Sequence, residues 1–307
     1  MKRFLLAALL FIAAAPVFSQ RHCASDDVLQ QQIRTNPVLS SKLAGIENST
    51  SLYKRGFNRF AATAPIVIHV VVNVLYKLPA ENISDAQIAS QITALNADFA
   101  GSNQDYSSTP SLFQSVRSGN TNIRFVLDNV YRKSTTKVNW GTNDGMKKTA
   151  QGGLNPTSPN SKLNIWVCNM GSGILGYAQF PGGSLATDGV VIDNNAFGTI
   201  GVAIYPFNKG RTLTHEVGHW MNLRHIWGDA ICGNDFVDDT PLHNGPNFGC
   251  PSFPKNSTCT ALPAMMTMNY MDYTDDACMY MFTTGQKIRM LALFSGTGSR
   301  KAYAKTN

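Results

Sequence analysis

The run His215-Glu216-Val217-Gly218-His219-Trp220-Met221-Asn222-Leu223-Arg224-His225 constrains this chain more than any other stretch of it. If its first part is helical, His215 and His219 stand at i and i+4, so both imidazoles leave one face and reach a common point. Glu216 is poorly placed to be a third ligand. It is well placed to hydrogen-bond a water at that point and take its proton. The third nitrogen is then His225. Asn222, a residue type that tolerates the left-handed conformation, can end the helix and turn the chain back. Three imidazoles leave a zinc ion one open position for water, which a catalytic site needs and a structural site lacks. Chance is a weak rival explanation. The chain has 6 His and only Glu47, Glu81 and Glu216 as glutamates, so H-E-x-x-H should arise at random in on the order of one such chain in a thousand. Because no Glu follows Glu216, a downstream glutamate ligand is ruled out.

The motif has the form H-E-x-x-H-x-x-G-x-x-H with Asn222 at the glycine position, and Asn269-Tyr270-Met271-Asp272-Tyr273 reads as a methionine-containing turn. Together with Arg224 to Asp229, Asp235 to Pro241 and Cys278 to Thr283, these stretches resemble the metzincin metallopeptidases, the pappalysin family in particular and its cytophagalysin branch. The resemblance implies an α/β (α+β) catalytic domain: a twisted, mostly parallel sheet with a backing helix and an active-site helix, then an irregular, disulfide-stapled subdomain ending in a helix. It implies a zinc endopeptidase that hydrolyses peptide bonds with Glu216 as general base. Met271 would floor the histidines, and Tyr273 would either donate to the oxyanion or pack under the metal.

Six cysteines in an exported chain point to disulfides. Cys232, Cys250, Cys259 and Cys278 allow three pairings, of which the resemblance favours Cys232 with Cys259 and Cys250 with Cys278. Cys168 reads as a buried strand thiol. Cys23 has no partner cluster nearby; the family's cysteine switch implies that its thiolate fills the fourth zinc position in a latent form. The family form has Gly after that Cys, whereas this chain has Ala24. Asp235, Asp238, Asp239 and Thr240 offer hard oxygen ligands at close spacing, which suit calcium, and the resemblance supports calcium near Asp235 and Thr240. Asp275 and Asp276 fall near the expected primed-side wall, where a buried carboxylate would favour Arg or Lys in the substrate.

Lys2 and Arg3 precede an apolar run from Phe4 to Phe18 that is too short to span a bilayer, so residues 1–19 read as a signal peptide. Residues 20–59 read as a polar pro-segment with a basic exit at Lys54, Arg55 and Arg59, and residues 60–307 as the catalytic domain. Strands are expected at Ile66 to Val72, Asn122 to Leu127, Leu163 to Cys168 and Gly189 to Asp193, with an edge strand in Gly176 to Pro181. His69, inside the first, reads as a strand histidine and not a ligand. Ser84 with Gln87 and Thr283 with Gln286 read as capping boxes of two helices, and the zinc helix is expected over Thr212 to Met221. The net charge is +7, or +5 without Lys2 and Arg3, with no basic block of the kind that tracks a phosphate backbone, so nucleic acid is excluded as a partner. The expected partners are protein or peptide substrates, and a secreted, extracellular monomer is expected, a periplasmic location remaining open. An idle metal-binding or adhesion protein of the same fold and a zinc-dependent amidase or esterase are the competing readings. The intact Glu216 and the edge strand argue against them.

Overall fold

The computed structural model describes residues 20–57 and 65–305. The leader read at 1–19 and Arg59 lie outside the described residues.

Strand β1, Ile66–Tyr76, is a nearly unbroken β-branched run and becomes the buried second strand of a five-stranded sheet. Apolar residues on both faces suit a strand covered from both sides. It pairs in parallel with β2, Ile123–Ser134, on one side and with β3, Leu163–Cys168, on the other. β3 pairs in parallel with β5, Val190–Asp193, and the edge strand β4, Gly176–Ala178, joins β5 antiparallel. Only β3 has the predicted limits. β1 runs on past Asn73, whose side-chain amide is buried and donates to Asn164 Oδ1 at 3.5 Å. β2 runs on past Leu127 because Asp128 is bulged out of register there and faces Lys162 at 2.5 Å and His69 at 3.3 Å. His69 is thus a strand histidine, as expected.

Alternation along the strands divides the interior. Ile68, Val70, Val72 and Ile165 face helix α3, Asp85–Ala100, and helix α5, Arg211–Trp220, while Trp166, Cys168 and Val191 face Trp140, Met146 and Tyr177. Cys168 is a free, buried thiol. Ser84 accepts from the Gln87 N–H of α3 at 3.1 Å, but the Gln87 side chain donates to the carbonyls of Phe197 and Asn194 instead of closing a capping box. The box at Thr283 and Gln286 is complete and starts the last helix, α6, Thr284–Ala292. A one-turn helix, α4, lies at Ser111–Gln114.

Two helices that the polar composition of the N-terminal segment did not announce precede the sheet: α1, Ser25–Thr35, and α2, Val38–Gly56. They bury few residues, chiefly Val28, Leu29 and Leu39, and Leu29 and Leu39 cluster with Phe180, just beyond the edge strand β4. Between α5 and α6 the chain is irregular and held by Cys232–Cys259 and Cys250–Cys278, the pairing the resemblance implied.

Candidate metal centre

Helix α5 is buried along its whole length and presents His215 and His219 from one face. It starts and ends one residue before the expected Thr212 to Met221, and Asn222 turns the chain as expected. Asn222 takes φ +68°, the Leu223 N–H closes back on the Gly218 carbonyl at 2.9 Å, and His225 swings under the helix. The three Nε2 atoms converge, His219 standing 3.1 Å from both His215 and His225. Each Nδ1 has an oxygen partner: Tyr270 O at 2.6 Å, Leu223 O at 2.8 Å and, for His225, the Asp229 carboxylate. Those contacts place the ring protons on Nδ1 and leave three Nε2 lone pairs facing one another with no proton between them, an arrangement that calls for a cation. The spacing fits one, since two nitrogens at roughly 2.05 Å from a tetrahedral zinc stand about 3.3 Å apart. Burial, with the neighbouring imidazoles, holds His215 and His219 well below the usual imidazole range, which keeps them neutral and able to ligate.

The turn Asn269 to Tyr273 lies beneath the rings. A Cβ at Gly218 would meet Met271 Sδ at 2.5 Å, so glycine lets the methionine approach the helix. Trp227 stacks on His225 with ring centroids 4.4 Å apart. Asp229, to which the sequence reading gave no role of its own, orients His225. Its position four residues after that histidine was the available signal.

The N-terminal segment enters this centre. Cys23 pairs in parallel with Gly176 of the edge strand, and the Ala24 N–H donates to the Gly176 carbonyl at 3.0 Å. Ala24 has φ −99°, a conformation open to any residue, so the absence of glycine there carries no penalty. Cys23 Sγ and the three imidazoles form one buried group with ligand atoms within 4.8 Å of one another. Glu216 lies beside them: its Oε2 accepts from Ser25 Oγ at 2.7 Å and from Cys23 Sγ at 3.3 Å. Burial pushes the Glu216 carboxyl up to about 7. Tyr273 packs its ring against His215 and His225 and donates from its hydroxyl to the Cys23 carbonyl at 3.0 Å. Arg21 has its guanidinium buried against Asp276 at 2.5 Å, Thr212 Oγ1 at 3.0 Å and the Thr274 carbonyl at 3.1 Å, a contact the sequence did not announce.

The acidic loop divides. Asp235 and Thr240 come together, the Thr240 hydroxyl lying 2.8 Å from Asp235 Oδ2 and 2.8 Å from the Val237 carbonyl. Asp238 and Asp239 do not join them. Asp238 is exposed and paired with Lys54, and Asp239 accepts from Thr283 Oγ1 at 2.6 Å and the Gly285 N–H at 2.8 Å, which places its charge at the start of α6. Phe236, with φ +64°, turns the chain between the two halves.

A buried three-histidine centre with an adjacent glutamate on one helix and a methionine turn below defines a metallopeptidase. A family model for peptidase M43, described as pregnancy-associated plasma protein-A, matches residues 158–295. An extracellular metalloprotease of Pyricularia oryzae is 32% identical over 96% of this chain and 96% of its own length, and one of Arthroderma benhamiae is 33% identical over 74% and 77%. Among solved structures, promirolysin of Tannerella forsythia has 45% identity and a TM-score of 0.85, covering 94% of this chain and 100% of its own. Mature mirolysin in complex with a cleaved peptide has 47% identity and a TM-score of 0.77 over 80% and 100%. The chain belongs to the pappalysin family of metallopeptidases, and it is a metalloendopeptidase.

Proposed function

We propose that the chain is the latent precursor of a secreted zinc endopeptidase, with zinc held by His215, His219 and His225 and residues 20–59 acting as the pro-segment. The observation that carries this reading is the meeting of three imidazole nitrogens, the Cys23 thiol and the Glu216 carboxylate in one buried group. Zinc, when bound, supplies a Lewis acid that acidifies water and polarises a peptide carbonyl. Glu216 takes the proton of the attacking water and passes it to the leaving amine. A carboxylate beside the metal can carry out both transfers in turn. Tyr273, freed from the Cys23 carbonyl, turns its hydroxyl toward the oxyanion. In the precursor Cys23 would join the three histidines in holding zinc, while Ser25 and Cys23 donate to Glu216, so the water site and its base would be blocked together.

The Arg21 pocket also reads as a mould of the substrate. A guanidinium received by Asp276, Thr212 Oγ1 and a backbone carbonyl fits a peptide arginine once the pro-segment has left. The two mirolysin matches differ in coverage by about the length of 20–59, which supports that boundary. No helix of the described residues is long and apolar enough to cross a membrane, and the relatives are named extracellular, which supports secretion. Calcium fits the loop where Asp235, the Val237 carbonyl and Thr240 Oγ1 converge, with Asp238 and Asp239 outside the ligand set.

The test is casein hydrolysis by the processed chain with and without a zinc chelator, repeated on two variants. Glu216→Ala should retain zinc and lose hydrolysis, and His219→Ala should lose both. Substantial proteolysis by Glu216→Ala refutes the general-base assignment.

A further inference from the structure

Asn222 ends the zinc helix at φ +68°, a position that glycine would fill with less strain. Its side chain does something glycine cannot. The Asn222 amide donates to Glu47 Oε1, on α2, at 3.2 Å. The same carboxylate is gripped by Arg289 of α6, which donates from Nη1 to Glu47 Oε2 at 2.7 Å and from Nη2 to Glu47 Oε1, while its Nε donates to the Asn222 carbonyl at 2.7 Å. One guanidinium thus fixes the turn that carries His225 and still offers a two-pronged face to a carboxylate. The Arg289 side chain is 4% exposed, and that of Glu47 is 27% exposed. Beside this contact Ile46 packs against the catalytic core and the Leu39 side chain is buried with Phe180, whose ring flanks His219. None of these residues belongs to the Arg21–Cys23–Ser25 contact at the metal.

The geometry points to a docking site for a carboxylate-bearing helix, built from Arg289 and Asn222, that holds α2 separately from the metal contact and keeps the segment bound after its covalent link is cut. The inference rests on the reading of residues 20–59 as a pro-segment. With Glu47 withdrawn, the site presents a poorly hydrated guanidinium and an amide donor, which select an anion. The partner that fits is the segment's own α2, whose apolar residues Ile46, adjacent to Glu47, and Leu39, about two turns before it, pack beside the carboxylate. A single cut after Gly56 then leaves a non-covalent inhibitor in place, and activity appears only when that segment dissociates or is degraded.

The experiment uses the full chain with Glu216→Ala, to stop autolysis, and a site-specific protease sequence placed between Phe57 and Pro65. After the cut, dilution and gel filtration measure the fraction of N-terminal fragment still bound. The cut parent should retain its fragment. Glu47→Ala should weaken retention roughly tenfold to thirtyfold, the low end for truncating a partly exposed charge pair, and Glu47→Gln should lie between, since Asn222 can still donate to its amide oxygen. Alanine in mid-helix preserves α2, which circular dichroism verifies. Equal retention by Glu47→Ala and parent overturns the proposal, as does immediate release from the cut parent. Binding is read without any peptide hydrolysis, so failure here is distinct from failure of the peptidase assignment.

Discussion

Replacing Arg21 with alanine removes one partner of a buried ion pair and leaves the other in place. Arg21 and Asp276 have side chains 1% and 0% exposed, so solvent does not take over the role of the lost guanidinium. Breaking such a pair costs about 3–5 kcal/mol, most of it the penalty of an uncompensated charge. Asp276 keeps two donors at its other oxygen, the Lys209 N–H at 2.7 Å and the Arg211 N–H at 3.2 Å, which argues for the lower end. About 3 kcal/mol corresponds to a roughly 150-fold rise in the population whose N-terminal segment has lifted from the cleft. If maturation proceeds from that population, purified Arg21→Ala should convert to the shortened form up to two orders of magnitude faster than the parent, as followed by gel densitometry and peptide hydrolysis. Arg21→Lys keeps the charge without the fork and should fall between. Cys23→Ala, which under the proposed function frees a metal position and spares the Asp276 pocket, should also mature faster and serves as the positive control. Maturation of Arg21→Ala at the parental rate would show that the Asp276 contact carries no latency.

What the sequence disclosed follows from the range of the interactions. His215, Glu216, His219, Asn222 and His225 lie within eleven residues, and one helix with the left-handed turn at its end brings them together. β3 was readable to the residue because all six of its side chains are buried and its neighbours are turn formers. The complete capping box at Thr283 is equally local. Contacts of long reach left no such mark. Arg21 and Asp276 are 255 residues apart, and Glu47 and Arg289 are 242 apart. α1 and α2 escaped notice because they bury only a thin apolar stripe, which makes sense only against the surface they cover. Asp235, Asp238 and Asp239 show the opposite error. Closeness in sequence suggested one cage, but a left-handed residue between them sends the carboxylates to three different tasks.

Two further outcomes follow from the irregular region between α5 and α6. Calcium at about one hundred times its dissociation constant should stabilise the fold by about 2.7 kcal/mol, raising Tm by roughly 5–10 °C in a zinc-replete scan. Asp235→Asn should abolish that rise and Asp239→Asn should not, whereas a Tm that stays flat across the titration removes calcium from the assignment. The second outcome concerns acid. Burial, with Lys255 nearby, pulls His243 down to about 3, and its Nε2 accepts the Met266 N–H at 2.9 Å. The unfolded chain binds a proton at this histidine near pH 6.5 and the folded chain does not, so stability is lost as pH falls from about 6.5 toward 3, by about 1.4 kcal/mol per unit. Asp272, raised to about 6 by burial, works in the opposite direction between about 4 and 6, because the folded state holds its proton. The His243 contribution is therefore isolated by difference. His243→Gln keeps an acceptor for Met266, and between pH 7 and pH 5 the parent should lose about 2 kcal/mol relative to it in urea unfolding. Parallel pH profiles for the two chains would mean that His243 is protonated in the folded state, and that its burial beside Asp272 is balanced by an ion pair.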